Sequence, residues 1–76
     1  MFDRKTRMML IMGVLNDCFG DVRTTIANLS EFIASHPDFK EIDELELREI
    51  LNKAYELERK ILETMDKAKK EVYDST

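Results

Sequence analysis

The apolar residues of this chain recur at intervals of three and four along almost its whole length. This spacing matches the 3.6-residue turn of an α-helix, so the pattern predicts helices with one apolar side. The pattern is interrupted once, around Pro37, which lacks an amide donor and disfavours helix at His36 before it. The sequence therefore predicts an all-α protein, a two-helix antiparallel hairpin.

The first helix carries an unusually wide apolar stripe. The stripe occupies three heptad positions. Position a holds Met8, Leu15, Val22 and Leu29; position d holds Ile11, Cys18 and Phe32; and position e holds Met12, Phe19, Ile26 and Ile33. Only Thr25 interrupts the stripe. Because a two-stranded coiled coil uses positions a and d alone, a stripe that includes position e predicts more than one neighbouring helix.

The second helix repeats the arrangement, and its other side carries Glu-before-Lys/Arg pairs four residues apart, which are typical of a solvated surface. Its apolar residues are Leu47, Ile50, Leu51, Ala54, Leu57, Ile61, Met65, Ala68 and Val72. We predict a single domain over residues 1–76, with helices at about 4–34 and 43–73 and a loop at 35–42. Asp43 and Glu46 have the spacing of a capping pair for the second helix. The first helix is expected either to continue through Gly20 or to kink there.

The size of the chain points to self-association. A core in 76 residues rarely supplies more than about 3–5 kcal/mol without an additional constraint. One cysteine and one histidine exclude an intrachain disulfide and a Cys/His zinc module. We therefore expect a homo-oligomer, a dimer or a dimer of dimers, in which two hairpins form a four-helix bundle.

A second side of the first helix also attracts attention, because Gly13, Gly20, Ala27 and Ala34 recur every seven residues at position f. Glycine in a helix interior costs about 1 kcal/mol relative to alanine, so two in one register suggest a close approach. The neighbouring residues are also apolar. The predicted protein interface comprises Met8, Met9, Leu10, Met12, Gly13, Val14 and Gly20; the alternative is that small residues are tolerated on an exposed surface.

Charge is concentrated at the two ends of the predicted hairpin, although the formal net charge is -4. The acidic tip comprises Asp38, Glu41, Asp43, Glu44, Glu46 and Glu49. The basic end comprises Arg4, Lys5, Arg7, Lys67, Lys69 and Lys70, which are possible contacts for phosphates of nucleic acid. The alternative is that these charges complement the helix dipoles.

Catalysis and metal binding receive no support from the sequence. His36 stands alone in the loop, and Cys18 is expected among hydrophobic residues, where a thiol is inert. The two lie about 27 Å apart along one helix at 1.5 Å per residue, too far for a nucleophile and its base. We predict no enzyme activity, no catalytic or metal site and no cofactor.

A lone thiol suits a reducing compartment, so we expect a cytoplasmic protein. The apolar run at residues 8–15 is too short to span a bilayer. The leading hypothesis is a small non-enzymatic helical protein acting through protein–protein interaction, as an adaptor, regulator or inhibitor with a partner of unknown identity. The alternative is a nucleic-acid-binding module that uses the basic end.

Overall fold

The computed structural model describes residues 2–73, which are helical along most of their length and contain no strand. Three helices follow in order: α1 (Arg4–Ser35), α2 (Glu41–Glu44) and α3 (Leu47–Tyr73). The prediction of an all-α chain is confirmed, as is the pair of long helices. The short helix α2 was not predicted.

Helix α1 begins at a side-chain cap and runs without interruption past Gly20. Asp3 precedes the helix, and its carboxylate accepts a hydrogen bond from the amide of Thr6 at 2.8 Å. This bond satisfies one of the amides that the first helical turn leaves unpaired. At the other end, the amide of His36 donates to the carbonyl of Phe32 at 3.1 Å, and Pro37 follows.

The hairpin tip is folded around one buried side chain. Ile42 of α2 is only 2% exposed, the lowest fraction among the buried hydrophobic residues. Next to α2, the ring of Phe39 stacks on His36 with centroids 4.4 Å apart, and His36 in turn lies 4.8 Å from Phe32. The packing of Ile42 and this aromatic cluster hold the turn against the ends of the long helices.

The start of α3 differs from the sequence prediction, because Glu46 does not form a capping box with Asp43. Glu46 has a φ of 56°, and its amide donates to the carbonyl of Asp43. This left-handed residue after Leu45 terminates α2 in the way that glycine often terminates a helix. The carbonyl of Glu46 then accepts from the amides of Glu49 and Ile50, so the same residue opens α3. Helix α3 consequently begins at Leu47 rather than near 43.

Helices α1 and α3 pack along their length and give an elongated shape of 55 × 19 × 16 Å. The radius of gyration is 17.0 Å, whereas a compact domain of this length has about 11 Å. The buried core is correspondingly thin. Among the described residues it comprises Ile42, Ala54, Ile61, Ala68 and Val72.

Candidate functional site

The side of α1 that faces α3 is formed by heptad positions a and e. Met8, Met12, Leu15 and Phe19 are all half-buried there, and this alternation continues to Ile33. On α3, the corresponding positions hold the buried side chains of Ala54, Ile61, Ala68 and Val72. The hairpin contact therefore uses two of the three apolar columns of α1.

The third apolar column, position d, is exposed in the hairpin. Ile11 and Phe32 of α1 are 48% and 42% exposed, and Cys18 between them is exposed as well. The expectation that Cys18 lies buried among hydrophobic residues is therefore wrong for the hairpin. The cause is that α1 contacts α3 through positions a and e, so that position d lies on a side of the hairpin that α3 does not cover.

Helix α3 has an exposed d column of its own. Ile50 and Leu57, seven residues apart, are 48% and 50% exposed. On each helix, position d is rotated about the helix axis by the same angle, and in the same sense, from the side that contacts the other helix. Because the two helices run antiparallel, both d columns lie on the same side of the pair. Five residues thus share one broad face, which we call the d face: Ile11, Cys18, Phe32, Ile50 and Leu57.

Thr25 also occupies position d of α1, but it does not make the d face strongly polar. Its hydroxyl donates to the carbonyl of Asp21 at 3.1 Å, a bond within the same helix. Thr64 on α3 does the same with Lys60 at 2.8 Å. Because these hydroxyl groups already have a backbone acceptor, covering them leaves their donor hydrogens paired.

The structure places the residues of the predicted protein interface on two different sides of α1. Met8 and Met12 are half-buried on the side that faces α3, so they belong largely to the hairpin contact. Met9, Leu10 and Val14 are 53%, 52% and 62% exposed. These three form an apolar patch on the outer surface of α1.

Gly13 and Gly20 lie near this patch, in open space. A Cβ atom built at either position meets nothing within 4 Å. No contact within the described hairpin therefore requires glycine at these positions. Any close approach there has to come from outside the hairpin.

At the basic end, two of the six cations of the prediction already have partners in the hairpin. The guanidinium of Arg4 forms an ion pair with Glu71, which joins the start of α1 to the end of α3. Arg7 donates to the carbonyl of Phe2 at 2.8 Å. A cleft of about 270 Å³ lies beside the ion pair and is lined by Arg4, Lys5, Met8, Glu71 and Val72. Lys67, Lys69 and Lys70 are exposed on α3.

The acidic tip contains one ion pair, between Arg48 and Asp43 at 3.2 Å, and both side chains are mostly exposed. A pair of this kind contributes little to stability. Across residues 2–73, no three His, Cys, Asp or Glu side chains are grouped so that they could hold a metal ion. None of the helices in the described part of the chain is long and apolar enough to cross a membrane.

One residue with a perturbed pKa was missed by the sequence analysis, although its signal is present. The hydrogen bond from the backbone amide of Thr6 lowers the pKa of the Asp3 carboxyl, and the Thr6 side chain contributes in the same direction. An Asp three residues before a Thr, immediately ahead of an apolar run, is a recognisable cap pattern. Its role is to start α1.

Comparison with known proteins identifies a relative. The chain is 51% identical over 69 residues to an uncharacterized protein of Archaeoglobus fulgidus, and the alignment covers 90% of this chain and 91% of the relative. The chain therefore belongs to the same family as this archaeal protein. No protein-family model matches the sequence. No solved structure matches it either.

Proposed function

We propose that this chain is a small, non-enzymatic, homo-oligomeric helical protein that acts through protein–protein contacts, as an adaptor, regulator or inhibitor in the cytoplasm. The main support for the proposal is the lack of burial along α1. Across Arg4–Ser35, a helix with apolar residues at three heptad positions, not one residue is buried in the hairpin. Apolar surface left open on this scale is characteristic of a protein that binds another protein.

The exposed apolar side chains divide into two surfaces. The d face spans both helices along the length of the hairpin. The outer patch of α1 (Met9, Leu10 and Val14) lies outside the d face, on the outer surface of the helix beside Gly13. Completely covering a side chain such as Leu or Val stabilises a complex by about 1.5–3 kcal/mol relative to full exposure. We assign self-association to the first surface and a second contact, between assemblies or with another protein, to the second.

The glycines support a contact at the outer patch. In an isolated hairpin, replacing Gly13 or Gly20 by alanine should stabilise α1 by about 0.5–1 kcal/mol at each position, because the added Cβ meets nothing. A helix packed against this surface would meet that Cβ. The fold of the hairpin therefore does not require glycine at these positions, and this supports the proposed contact with an outside neighbour.

The second contact is tested with Gly13→Glu and Gly20→Glu. Because glutamate favours helix more than glycine does, both variants should keep their helix content by circular dichroism. We expect them to lose assembly beyond the dimer in light scattering, or capture of a protein partner from cell lysate. Asn52→Glu is the matched control, since Asn52 is at position f of α3. Unchanged assembly and capture in both glycine variants would contradict the second contact.

A nucleic-acid-binding module remains the second candidate, because the hairpin brings Arg4 and Lys5 close to the end of α3. The Arg4–Glu71 ion pair reduces the positive charge available there. This function predicts an affinity that falls steeply with salt and with charge reversal at Arg4, Lys5, Lys69 and Lys70. The absence of a gel shift at low salt, together with unaltered behaviour of these variants, would dismiss it.

A further inference from the structure

The hairpin exposes far more surface than a compact protein of its mass. Its accessible surface is 6037 Å², whereas a compact monomer of 9.0 kDa exposes about 4,850 Å². The excess is about 1,200 Å², and a stable interface buries about 800 Å² on each partner. One broad side of a 55 × 19 Å body offers an area on the order of 1,000 Å². One such side is therefore about as large as the area that each partner contributes to a stable interface.

The d face is the broad side with the apolar content to be covered. Its five residues come from both helices and extend from Ile11 near the basic end to Phe32 near the tip. The opposite broad side also has exposed apolar residues, Met9 on α1 and Tyr55 and Leu62 on α3, but they share it with Arg23, Arg48 and Lys69. The d face is consequently the better candidate for close contact.

The charges at the two ends of the hairpin indicate what covers the d face. The acidic tip and the basic end lie at opposite ends of a body 55 Å long. A second copy stacked on the d face with its direction reversed places each acidic tip over a basic end. A copy stacked in the same direction places like charges together at both ends, which is unfavourable.

The spacing along the d face is compatible with this reversed arrangement. Ile11 and Phe32 lie about 16 Å on either side of Val22 at 1.5 Å per residue. A two-fold axis at the level of Val22 would place Ile11 of one chain beside Phe32 of the second copy. Met8 and Val72 line the same cleft, so Leu57, fifteen residues before Val72, lies near the level of Val22. Leu57 of one chain would then lie opposite Leu57 of the second copy.

We infer that the d face binds a second copy of this chain in the reversed direction, with the acidic tip of each hairpin over the basic end of the other, to give a four-helix bundle. Lys53, Lys60 and Lys67 follow the rim of this face on α3, where their long side chains reach water and their repulsion is screened. The inference rests on the proposed homo-oligomer and adds its contact face and its direction.

The contact face is tested with two leucines of α3 that have almost equal exposure. Leu57 on the d face is 50% exposed, and Leu62 on the opposite side is 46% exposed. Leu57→Glu would bury an unpaired charge in the interface, so we expect the dimer dissociation constant to rise by about 100-fold or more. Leu62→Glu should change the dissociation constant by less than about threefold. Equal effects, or a larger effect at Leu62, would overturn the d face as the contact.

The direction is tested by the distance between spin labels attached at the tip. Cys18→Ser with Asp38→Cys leaves one label site per chain, outside the d face. With the two-fold axis at the level of Val22, Asp38 lies about 24 Å from the axis at 1.5 Å per residue, so the reversed arrangement predicts a label separation of about 45–50 Å. It also predicts a dissociation constant that rises with salt, because the pairing of opposite charges is screened.

The possible failures are distinguishable. A label separation below about 25 Å, with association that strengthens as salt is added, would overturn the reversed direction while leaving the homo-oligomer in place. The absence of any dipolar coupling, together with the mass of a monomer, would overturn both the inference and the homo-oligomer of the proposed function. Retained capture of a foreign protein by that monomer would still support action through protein contacts.

Discussion

The two long helices contact each other over most of the hairpin, yet they are buried to very different extents. Helix α3 contributes four of the buried residues: Ala54, Ile61, Ala68 and Val72. Along Arg4–Ser35, α1 contributes none. Ala54 and Ala68 are small enough to be covered completely by the larger side chains of α1, whereas those larger side chains keep their outer halves exposed. Helix α3 is therefore largely covered within the hairpin, whereas α1 keeps the exposed apolar surface that the proposed second copy would cover.

The largest effect expected in this comparison is at Ile61, in the middle of the buried column of α3. Ile61→Ala should lower the free energy of unfolding by about 2–4 kcal/mol, because it removes buried methyl groups and leaves a cavity. Ile61→Val should cost about 0.5–1.5 kcal/mol and keeps the test usable if the alanine variant does not fold. Urea unfolding followed by circular dichroism measures both values. A loss below about 0.5 kcal/mol for alanine would contradict the assignment of Ile61 to the core.

The corresponding change in α1 is Ile11→Ala, and its effect should depend on protein concentration. Ile11 is 48% exposed, so in dilute monomer we expect a loss below about 0.5 kcal/mol. Once the d face is covered, the same change should cost about 1–2 kcal/mol per chain. Unfolding measured across a hundredfold range of concentration separates the two values. A loss of equal size at every concentration would mean that α1 depends on its neighbour no more than α3 does.

A smaller effect of opposite sign is expected at Glu46, the residue from which α3 starts. Because Glu46 has a φ of 56°, Glu46→Gly should relieve the strain of a side chain in the left-handed region. We expect a gain of about 0.5–1 kcal/mol in the free energy of unfolding. Glu46→Ala is the control, because it removes the charge and keeps a Cβ atom. If alanine stabilised the protein as much as glycine, charge rather than backbone geometry would be the cause.

The smallest effect concerns Asp3, at the start of α1. Because the folded pKa of its carboxyl is lowered, the cap contributes stability above the ordinary pKa of 3.8 and loses it as the pH falls through the lowered value. The amide resonance of Thr6 should therefore shift in acid in step with the carboxyl. Asp3→Asn keeps an acceptor for the Thr6 amide and should abolish that titration. A shift that persists in this variant would have another origin.

Much of the fold could be predicted from the sequence, because apolar spacing and a single proline specify two long helices. The exposure of the d column could not. Three columns of α1 are apolar, and the selection of a and e depends on where α3 presents Ala54 and Ala68, which is a property of the pair of helices. The same limit explains Cys18, whose column is apolar but lies outside the hairpin contact.

The start of α3 also could not be predicted from the sequence. Asp43 and Glu46 have the spacing of a capping box, and local propensity alone favours that interpretation. Burial of Ile42 instead places residues 41–44 in a separate helical turn, and Glu46 adopts a positive φ to end it. For the candidate site, the sequence identified surplus apolar surface on α1. It could not separate Met8 and Met12, which face α3, from the exposed Met9 and Leu10.

If another copy of the chain covers the apolar surface of α1, as we propose, the mass of the particle must depend on protein concentration. Sedimentation equilibrium of the full chain over a wide concentration range measures this dependence. We expect a particle of at least twice the 9.0 kDa chain mass, which dissociates on dilution. A mass of 9.0 kDa at every concentration, with helix content and cooperative unfolding intact, would contradict it.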